Sequence, residues 1–224
     1  MGNRISFPGN KEIIKSGCGS VGLEHPVWDR RVVGSNPITP IFPFGIMNFE
    51  KVFKLLISEF QNNKVEFALI GGHALYYSKV SRTTLDIDFM VLLDQSDLVN
   101  NIMKKYGYKV LQKTENVANY LSDFTDLGQV DFLFAHRKYA LNMLSRAKYK
   151  DVFGQQIKVI GPEDIIGLKI QAISNDPQRY HQDIADIEQV IKWNKESLNF
   201  KLVEEYFKLF NRGKELKEIV KRIK

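Results

Sequence analysis

Two aspartates, Asp86 and Asp88, are separated by one residue in the segment DIDFMVLL. Because this apolar segment is typical of a strand, the two side chains are expected to lie on the same face. Aspartate is uncommon in strands, and like charges on one face repel each other. A cation would relieve that repulsion, and Mg²⁺ favours a few carboxylates together with substrate phosphates. The pair therefore predicts a metal site, and the alternative is a strand face with solvated acids.

A third acid, Asp131, lies in the apolar segment QVDFLFA, which is also typical of a strand. Three carboxylates on neighbouring strands can hold two metal ions. One ion can activate an attacking hydroxyl while the other binds a triphosphate. For Asp131, too, the alternative is a solvated acid on an exposed strand face.

A glycine pair, Gly71-Gly72, stands 14 residues before Asp86, between the apolar segment VEFALI and a predicted short helix. Glycines allow the backbone to approach a phosphate, and a helix N-terminus presents free N–H groups. Arg82, in SRTTLDID, could bind a phosphate as well. The alternative to phosphate binding is that Arg82 is a solvated charge in a loop.

A lysine, Lys169, falls within an apolar helical stripe downstream, and Asp183 falls within a second one. A lysine in such a stripe is rarely buried without a partner. One interpretation is an ion pair between Lys169 and Asp183. The other is a lysine directed at a phosphate with Asp183 or Asp186 behind it, and the two are compatible.

The elements predicted around these residues belong to the α/β (α+β) class, with a mixed β-sheet flanked by helices over residues 47–160 and a helical region over 161–224. Predicted strands cover 65–70, 86–93, 108–111, 120–124 and 129–135, with a hairpin turning at 153–154. Predicted helices cover 49–62, 73–79, 96–106, 138–147, 162–175, 177–193, 200–211 and 214–223.

Residues 1–46 differ from the remainder, because they contain 7 Gly and 5 Pro whereas residues 47–224 contain 8 Gly and 2 Pro. This composition predicts an irregular N-terminal extension. The peptide Gly34-Ser35-Asn36-Pro37 can be encoded by the conserved T-arm of a tRNA gene. One hypothesis is therefore that about residues 17–41 are a translated tRNA gene and that Met47 is the native start. The alternative is a genuine flexible tail.

The composition excludes several classes of protein. The lone Cys18 cannot form a disulfide framework or a cysteine-based zinc site. The sequence has no apolar run of about 18 residues, so we expect no transmembrane helix, no membrane partner and a cytoplasmic location. With 32 Lys+Arg against 26 Asp+Glu, the net charge of +6 permits nucleotide or nucleic-acid partners.

Together, LIGGHALYYSKVSRTTLDIDFMV and VDF resemble the nucleotidyltransferase superfamily of the DNA polymerase β type. The pattern is an apolar strand, Gly-Gly or Gly-Ser, a gap, Asp-x-Asp and a later strand acid. The segment IGPEDIIGLKIQAISNDPQRYHQDIADIEQV resembles the AbiEii-type and related minimal nucleotidyltransferases of toxin–antitoxin systems. The resemblance covers roughly residues 48–195.

The resemblance implies a role for each candidate site residue. Asp86 and Asp88 would bind the catalytic metal, Mg²⁺ or Mn²⁺, and Asp131 would assist metal binding or act as a base. The residues implied to bind NTP are Gly71, Gly72, Arg82, Lys169, Asp183 and Asp186; the last two would position Lys169 or the acceptor. The chain departs from the Gly-Ser form of the motif, which has serine at position 72. Phosphate contacts would then come mainly from backbone N–H groups.

The activity implied by the resemblance is metal-dependent transfer of a nucleoside monophosphate from NTP, such as ATP, to an acceptor hydroxyl or phosphate, with release of pyrophosphate. The leading role is a toxin-like enzyme that acts on tRNA and has a cognate antitoxin. One alternative is an antibiotic adenylyltransferase of the aminoglycoside or lincosamide type. Another is a non-catalytic module that binds a nucleotide or a partner.

Overall fold

The computed structural model describes residues 47–223, so the predicted N-terminal extension lies outside the described residues. The strands are β1 Phe67–Leu69, β2 Asp86–Leu92, β3 Tyr108–Lys113, β4 Val117–Ser122, β5 Gln129–Ala135, β6 Lys148–Val152 and β7 Gln155–Val159. The helices are α1 Phe49–Asn62, α2 Gly71–Tyr77, α3 Ser96–Lys105, α4 Lys138–Arg146, α5 Pro162–Asn175, α6 Tyr180–Asn194, α7 Phe200–Leu209 and α8 Gly213–Arg222.

The seven strands form one mixed sheet in the order β3-β4-β5-β2-β1-β7-β6. Strand β2 is parallel to β5 and antiparallel to β1, and β1 is parallel to β7. Helices α5 to α8 follow the last strand, so the predicted mixed sheet with a helical C-terminal region is confirmed. Within residues 47–223, no helix combines the length and the apolar composition needed to cross a membrane.

The boundaries of the first four strands differ from the prediction, and those of β4 and β1 differ most. β4 begins at Val117, opposite Leu133, and ends before Phe124. Phe124 lies in a turn instead, because its N–H donates to the Ser122 hydroxyl and its carbonyl accepts from Leu127. β1 is also shorter than the predicted segment, since the chain turns sharply at Gly71, whose φ is +63°.

An aromatic cluster lies on one face of the sheet and places the acids on the other. Phe60 of α1 packs against Phe89 and Phe132, with ring centroids 5.5 and 6.0 Å away. Asp88 and Asp131 directly precede these two phenylalanines in the sequence. Because strand side chains alternate between faces, burying the rings under α1 directs both carboxylates to the opposite face.

Helix α5 lines one cavity together with the acids on that opposite face, and it contacts α2, α6 and α7. A side chain at Gly167 would lie 2.9 Å from the Tyr206 ring, so the glycine allows α5 and α7 to approach closely. The Tyr206 hydroxyl donates to Asp164, 2.6 Å away, and accepts from Arg146, 2.9 Å away. Asp164 and Tyr206 are buried, so this network connects α4, α5 and α7 in the interior.

We expect Tyr206→Phe to lower the free energy of unfolding by about 1–2 kcal/mol, because buried Asp164 loses a hydrogen-bond donor. Urea denaturation measures the change. Tyr149→Phe is the matched control, since Tyr149 is 66% exposed. Equal stability of the two variants would contradict the structural role of the network.

Candidate functional site

The sheet register brings the three predicted acids together. Asp88 lies opposite Asp131 in the β2–β5 pair, and Asp86 lies two residues earlier on the same face. One carboxylate oxygen from each of the three acids lies within 4.8 Å of the others. Oxygen ligands at this spacing suit a hard divalent cation, so the triad could bind a metal ion.

Burial makes the triad costly to ionise without a cation. Burial raises the pKa of Asp88 well above its usual value, and the charges of Asp86 and Asp131 raise it further. The Gly72 backbone N–H and the Arg179 charge act in the opposite direction. Burial also raises the pKa of Asp131 to about 6. A bound cation would favour the ionised carboxylates and offset this cost.

The glycine pair forms the turn from β1 into α2 and contacts the acids directly. Gly71 has a φ of +63°, and a Cβ atom there would lie 1.9 Å from Oδ2 of Asp88. Only glycine therefore allows the backbone to approach Asp88 this closely. The Gly72 N–H forms a hydrogen bond with Asp88, so the start of α2 borders the carboxylate site.

Thr84 provides a physical reason for glycine at position 72. A Cβ atom on Gly72 would lie 2.7 Å from both Cβ and Oγ1 of Thr84. The Thr84 hydroxyl donates to Oδ1 of Asp86, 2.6 Å away. The threonine side chain thus occupies the space that a serine at position 72 would require.

Three cationic side chains surround the other end of the site. Nζ of Lys169 lies 2.7 Å from Asp183 and 2.6 Å from Asp186, so the ion pair anticipated from the helical stripes is present and includes both acids. Arg82 pairs with Asp186 at 3.1 Å, and Arg179 pairs with Asp183 at 3.0 Å. Three positive charges face two negative charges, which leaves this cluster suited to an anion such as a phosphate.

A cavity of about 240 Å³ connects the acids with the cations. Asp183 and Asp186 are buried behind Lys169 and hold its ammonium group. Seven of the nine predicted site residues line the cavity: Gly71, Gly72, Arg82, Asp86, Asp88, Asp131 and Lys169.

Residues 48–224 match the family described as "Nucleotidyl transferase of unknown function (DUF2204)". The chain belongs to this nucleotidyl transferase family. This confirms the predicted nucleotidyltransferase superfamily and an enzymatic function, whereas the AbiEii-type assignment stays a prediction. No curated protein sequence matches the chain.

Two solved structures support the fold of this nucleotidyl transferase. The antibiotic-resistance factor ANT(2'')-Ia has a TM-score of 0.54 and 14% identity, over 75% of this chain and 94% of that chain. An antigenic nucleotidyltransferase-like protein from Paracoccidioides brasiliensis has a TM-score of 0.50 and 17% identity, over 80% and 95%. At these identities the likeness concerns the fold.

Three residues border the site of the nucleotidyl transferase without having been predicted. Arg179 lines the cavity, and its position four residues before Asp183 on a helix could have indicated the ion pair. Gln129 donates to both carboxylate oxygens of Asp131, at 3.0 and 3.1 Å. Residues two apart on a strand share a face, so this spacing could have indicated the contact. Asn119 also forms a hydrogen bond with Asp131, and no local sequence signal indicates it because the contact depends on β4–β5 register.

We expect Gly72→Ser to lower the free energy of unfolding by about 1–3 kcal/mol, because the new side chain overlaps Thr84. Adding Thr84→Gly should recover most of the loss, because it frees the space. Thermal unfolding of both single variants and the double variant measures this coupling. Gly213→Ser is the control, since its nearest neighbour lies 3.9 Å away. Additive effects of the two substitutions would contradict the steric explanation.

We also expect Asp88→Asn to stabilise the metal-free protein at pH 7.5 but not at pH 4. The pKa of Asp88 is raised on folding, so the wild type loses stability as the pH rises through its folded pKa. The difference in free energy of unfolding should reach about 1 kcal/mol or more. Urea denaturation in EDTA from pH 4 to 7.5 measures it, with exposed Asp94→Asn as the control. A difference that does not depend on pH would contradict the proposed cause.

Proposed function

We propose that the protein transfers a nucleoside monophosphate from an NTP to an acceptor hydroxyl and releases pyrophosphate. The observation that carries this proposal is the adjacency, within one cavity, of the acid triad, the Gly71-Gly72 turn and the Lys169 cluster. Phosphoryl transfer depends mainly on positioning and charge stabilisation, and these three features supply both.

We assign Mg²⁺, or Mn²⁺ in its place, to the triad, because the donor set consists of three carboxylate oxygens that lie within 4.8 Å of one another. Bound there, the ion would neutralise phosphate charge and polarise the reacting oxygens. Asp86 and Asp88 would hold the ion, and Asp131 would complete the site or accept the proton of the acceptor hydroxyl.

The protein's own groups hold the triphosphate. The backbone of the Gly71-Gly72 turn borders the phosphates, and Lys169 and Arg82 neutralise the pyrophosphate as it leaves. Asp183 and Asp186 keep the Lys169 ammonium oriented toward the cavity. Arg179 lies between Asp183 and Asp88 and adds positive charge to the same end of the cavity.

Two acceptors follow from the sequence. In the leading prediction, the enzyme is toxin-like, modifies tRNA in the cytoplasm and is inhibited by a cognate antitoxin; the net charge of +6 is compatible with an RNA substrate. The second candidate is an antibiotic adenylyltransferase, which the fold shared with ANT(2'')-Ia over 94% of that chain favours. Growth arrest on expression that a neighbouring gene cures would favour the toxin, and raised drug tolerance would favour the adenylyltransferase.

The transfer reaction is tested by incubating the protein with Mg²⁺, each α-labelled NTP and either total tRNA or a panel of small hydroxyl compounds. We expect label in an acceptor and a loss of about 100-fold or more in Asp88→Asn, because a ligand of the charge-stabilising ion is removed. Asp94→Asn should retain activity. Absence of transfer to any acceptor, or equal transfer by Asp88→Asn, would contradict the proposal and favour the non-catalytic alternative.

A further inference from the structure

The cavity is lined by both charged and apolar side chains. Of the described residues that line it, the six titratable ones are Arg82, Asp86, Asp88, Asp131, Lys169 and Arg179. Five apolar residues, which we call the chamber, line the same cavity: Val117, Leu133, Ile165, Leu168 and Ala172. The uncharged polar side chains of Asn119, Gln171 and Asn175 line it as well.

The sheet register places the chamber directly beside the triad. Asp131 lies opposite Asn119 of β4, and the next residues on the same face, Leu133 and Val117, lie opposite each other. Leu133 is two residues beyond Asp131, which corresponds to about 7 Å along the strand. Leu133 and Val117 are half-buried, so part of their apolar surface faces the cavity.

Helix α5 contributes both apolar and charged side chains to the cavity. Ile165, Leu168 and Ala172 are spaced by three and four residues, so they form one helical stripe. Lys169 lies within the same face of the helix, and its ion pairs hold its ammonium group toward Asp183 and Asp186 of α6. The same helix therefore contributes to the cavity both an apolar surface and a cation that is paired with α6.

The geometry of phosphoryl transfer indicates which part of the cavity binds the pyrophosphate group and which part binds the acceptor. The attacking and leaving oxygens lie roughly in line across the α-phosphorus. With pyrophosphate at the Gly71-Gly72 turn beside β1, the attacking oxygen must approach from the β5–β4 side. Strand β4 lies two strands beyond β2, at about 10 Å, and the chamber is located there.

We propose that the chamber binds the acceptor, and that the acceptor is an uncharged small molecule with a hydroxyl group next to an apolar body. This inference rests on the proposed nucleotidyl transfer. A polycationic acceptor would need acids in the chamber, and a nucleic-acid backbone would need cations there, so the chamber disfavours aminoglycosides and tRNA as acceptors. The five chamber residues supply apolar surface instead, which recognises an apolar body.

In the assigned arrangement, the apolar body fills the chamber and the hydroxyl lies beside Asp131. A bond forms between the acceptor oxygen and the α-phosphorus, and the bond from the α-phosphorus to the bridging oxygen breaks. Pyrophosphate leaves with the bonding electrons, and the hydroxyl proton passes to Asp131. The products are the nucleotidylated acceptor and pyrophosphate.

Ligand-observed NMR with Mg²⁺ and α,β-methylene-ATP tests the chamber, using benzyl alcohol, glycerol, tobramycin and a single-stranded RNA ending in CCA as separate probes. We expect benzyl alcohol to bind more tightly than glycerol. Leu168→Asn and Leu133→Asn should each weaken benzyl alcohol binding about tenfold or more, since a polar group replaces apolar contacts. Leu111→Asn is the control, because Leu111 is 55% exposed on β3.

A second variant keeps the test decisive if the asparagine variants fail to fold. Ala172→Leu retains a strong helix former and fills the chamber, so it should also weaken benzyl alcohol binding. The affinity for α,β-methylene-ATP should stay within about twofold of the wild type in every folded chamber variant, because the substitutions leave the Gly71-Gly72 turn, Arg82 and Lys169 unchanged.

The outcomes separate the acceptor inference from the transfer reaction. Equal weakening of nucleotide and benzyl alcohol by Leu168→Asn would mean that the chamber holds the nucleobase, and this would overturn the inference. The inference would also be overturned if tobramycin or the RNA bound the protein and the chamber substitutions did not change that binding. Nucleotide binding without benzyl alcohol binding would refute the acceptor class alone, whereas absence of nucleotide binding in the wild type would contradict the transfer reaction itself.

Discussion

The mutual repulsion of three partly buried carboxylates is the constraint on which the remaining structure depends. Asp86, Asp88 and Asp131 lie within reach of one ion, and their environment raises the pKa of Asp88 and of Asp131. Such an arrangement persists only when the surrounding fold is stable enough to impose it. The aromatic packing beneath the sheet meets that requirement, because buried Phe89 and Phe132 fix the orientation of the strands that carry the acids.

The helical C-terminal region supplies the opposite charge without introducing an unpaired buried cation. Lys169 would be costly to bury alone, and two acids of α6 pair with it. The same two acids hold Arg82 and Arg179, which come from different parts of the chain. The loop before β2 and the C-terminal helices therefore meet at an ion-pair network, and this network borders the cavity where a triphosphate would lie.

Close backbone approach is the second requirement of the site. Gly71 lies against Asp88, and Gly72 lies against Thr84. A side chain at position 71 or 72 would keep the start of α2 farther from the acids. Thr84 also donates a hydrogen bond to Asp86. Glycine at position 72 thus leaves a space beside the turn. The side chain of Thr84, from the loop before β2, fills that space.

The sequence by itself determined the types of chemistry and the elements that carry them. The Asp-x-Asp spacing, the glycine pair and the lysine in an apolar stripe are local patterns, so the mixed sheet, the helical C-terminal region and seven residues that line one cavity could be predicted from them. The contacts of Asn119, the pairing of Arg82 with Asp186 and the apolar chamber could not. Each depends on which strands become neighbours and on how α5 packs against the other elements. Those relations join residues up to 104 positions apart, and only tertiary packing decides them.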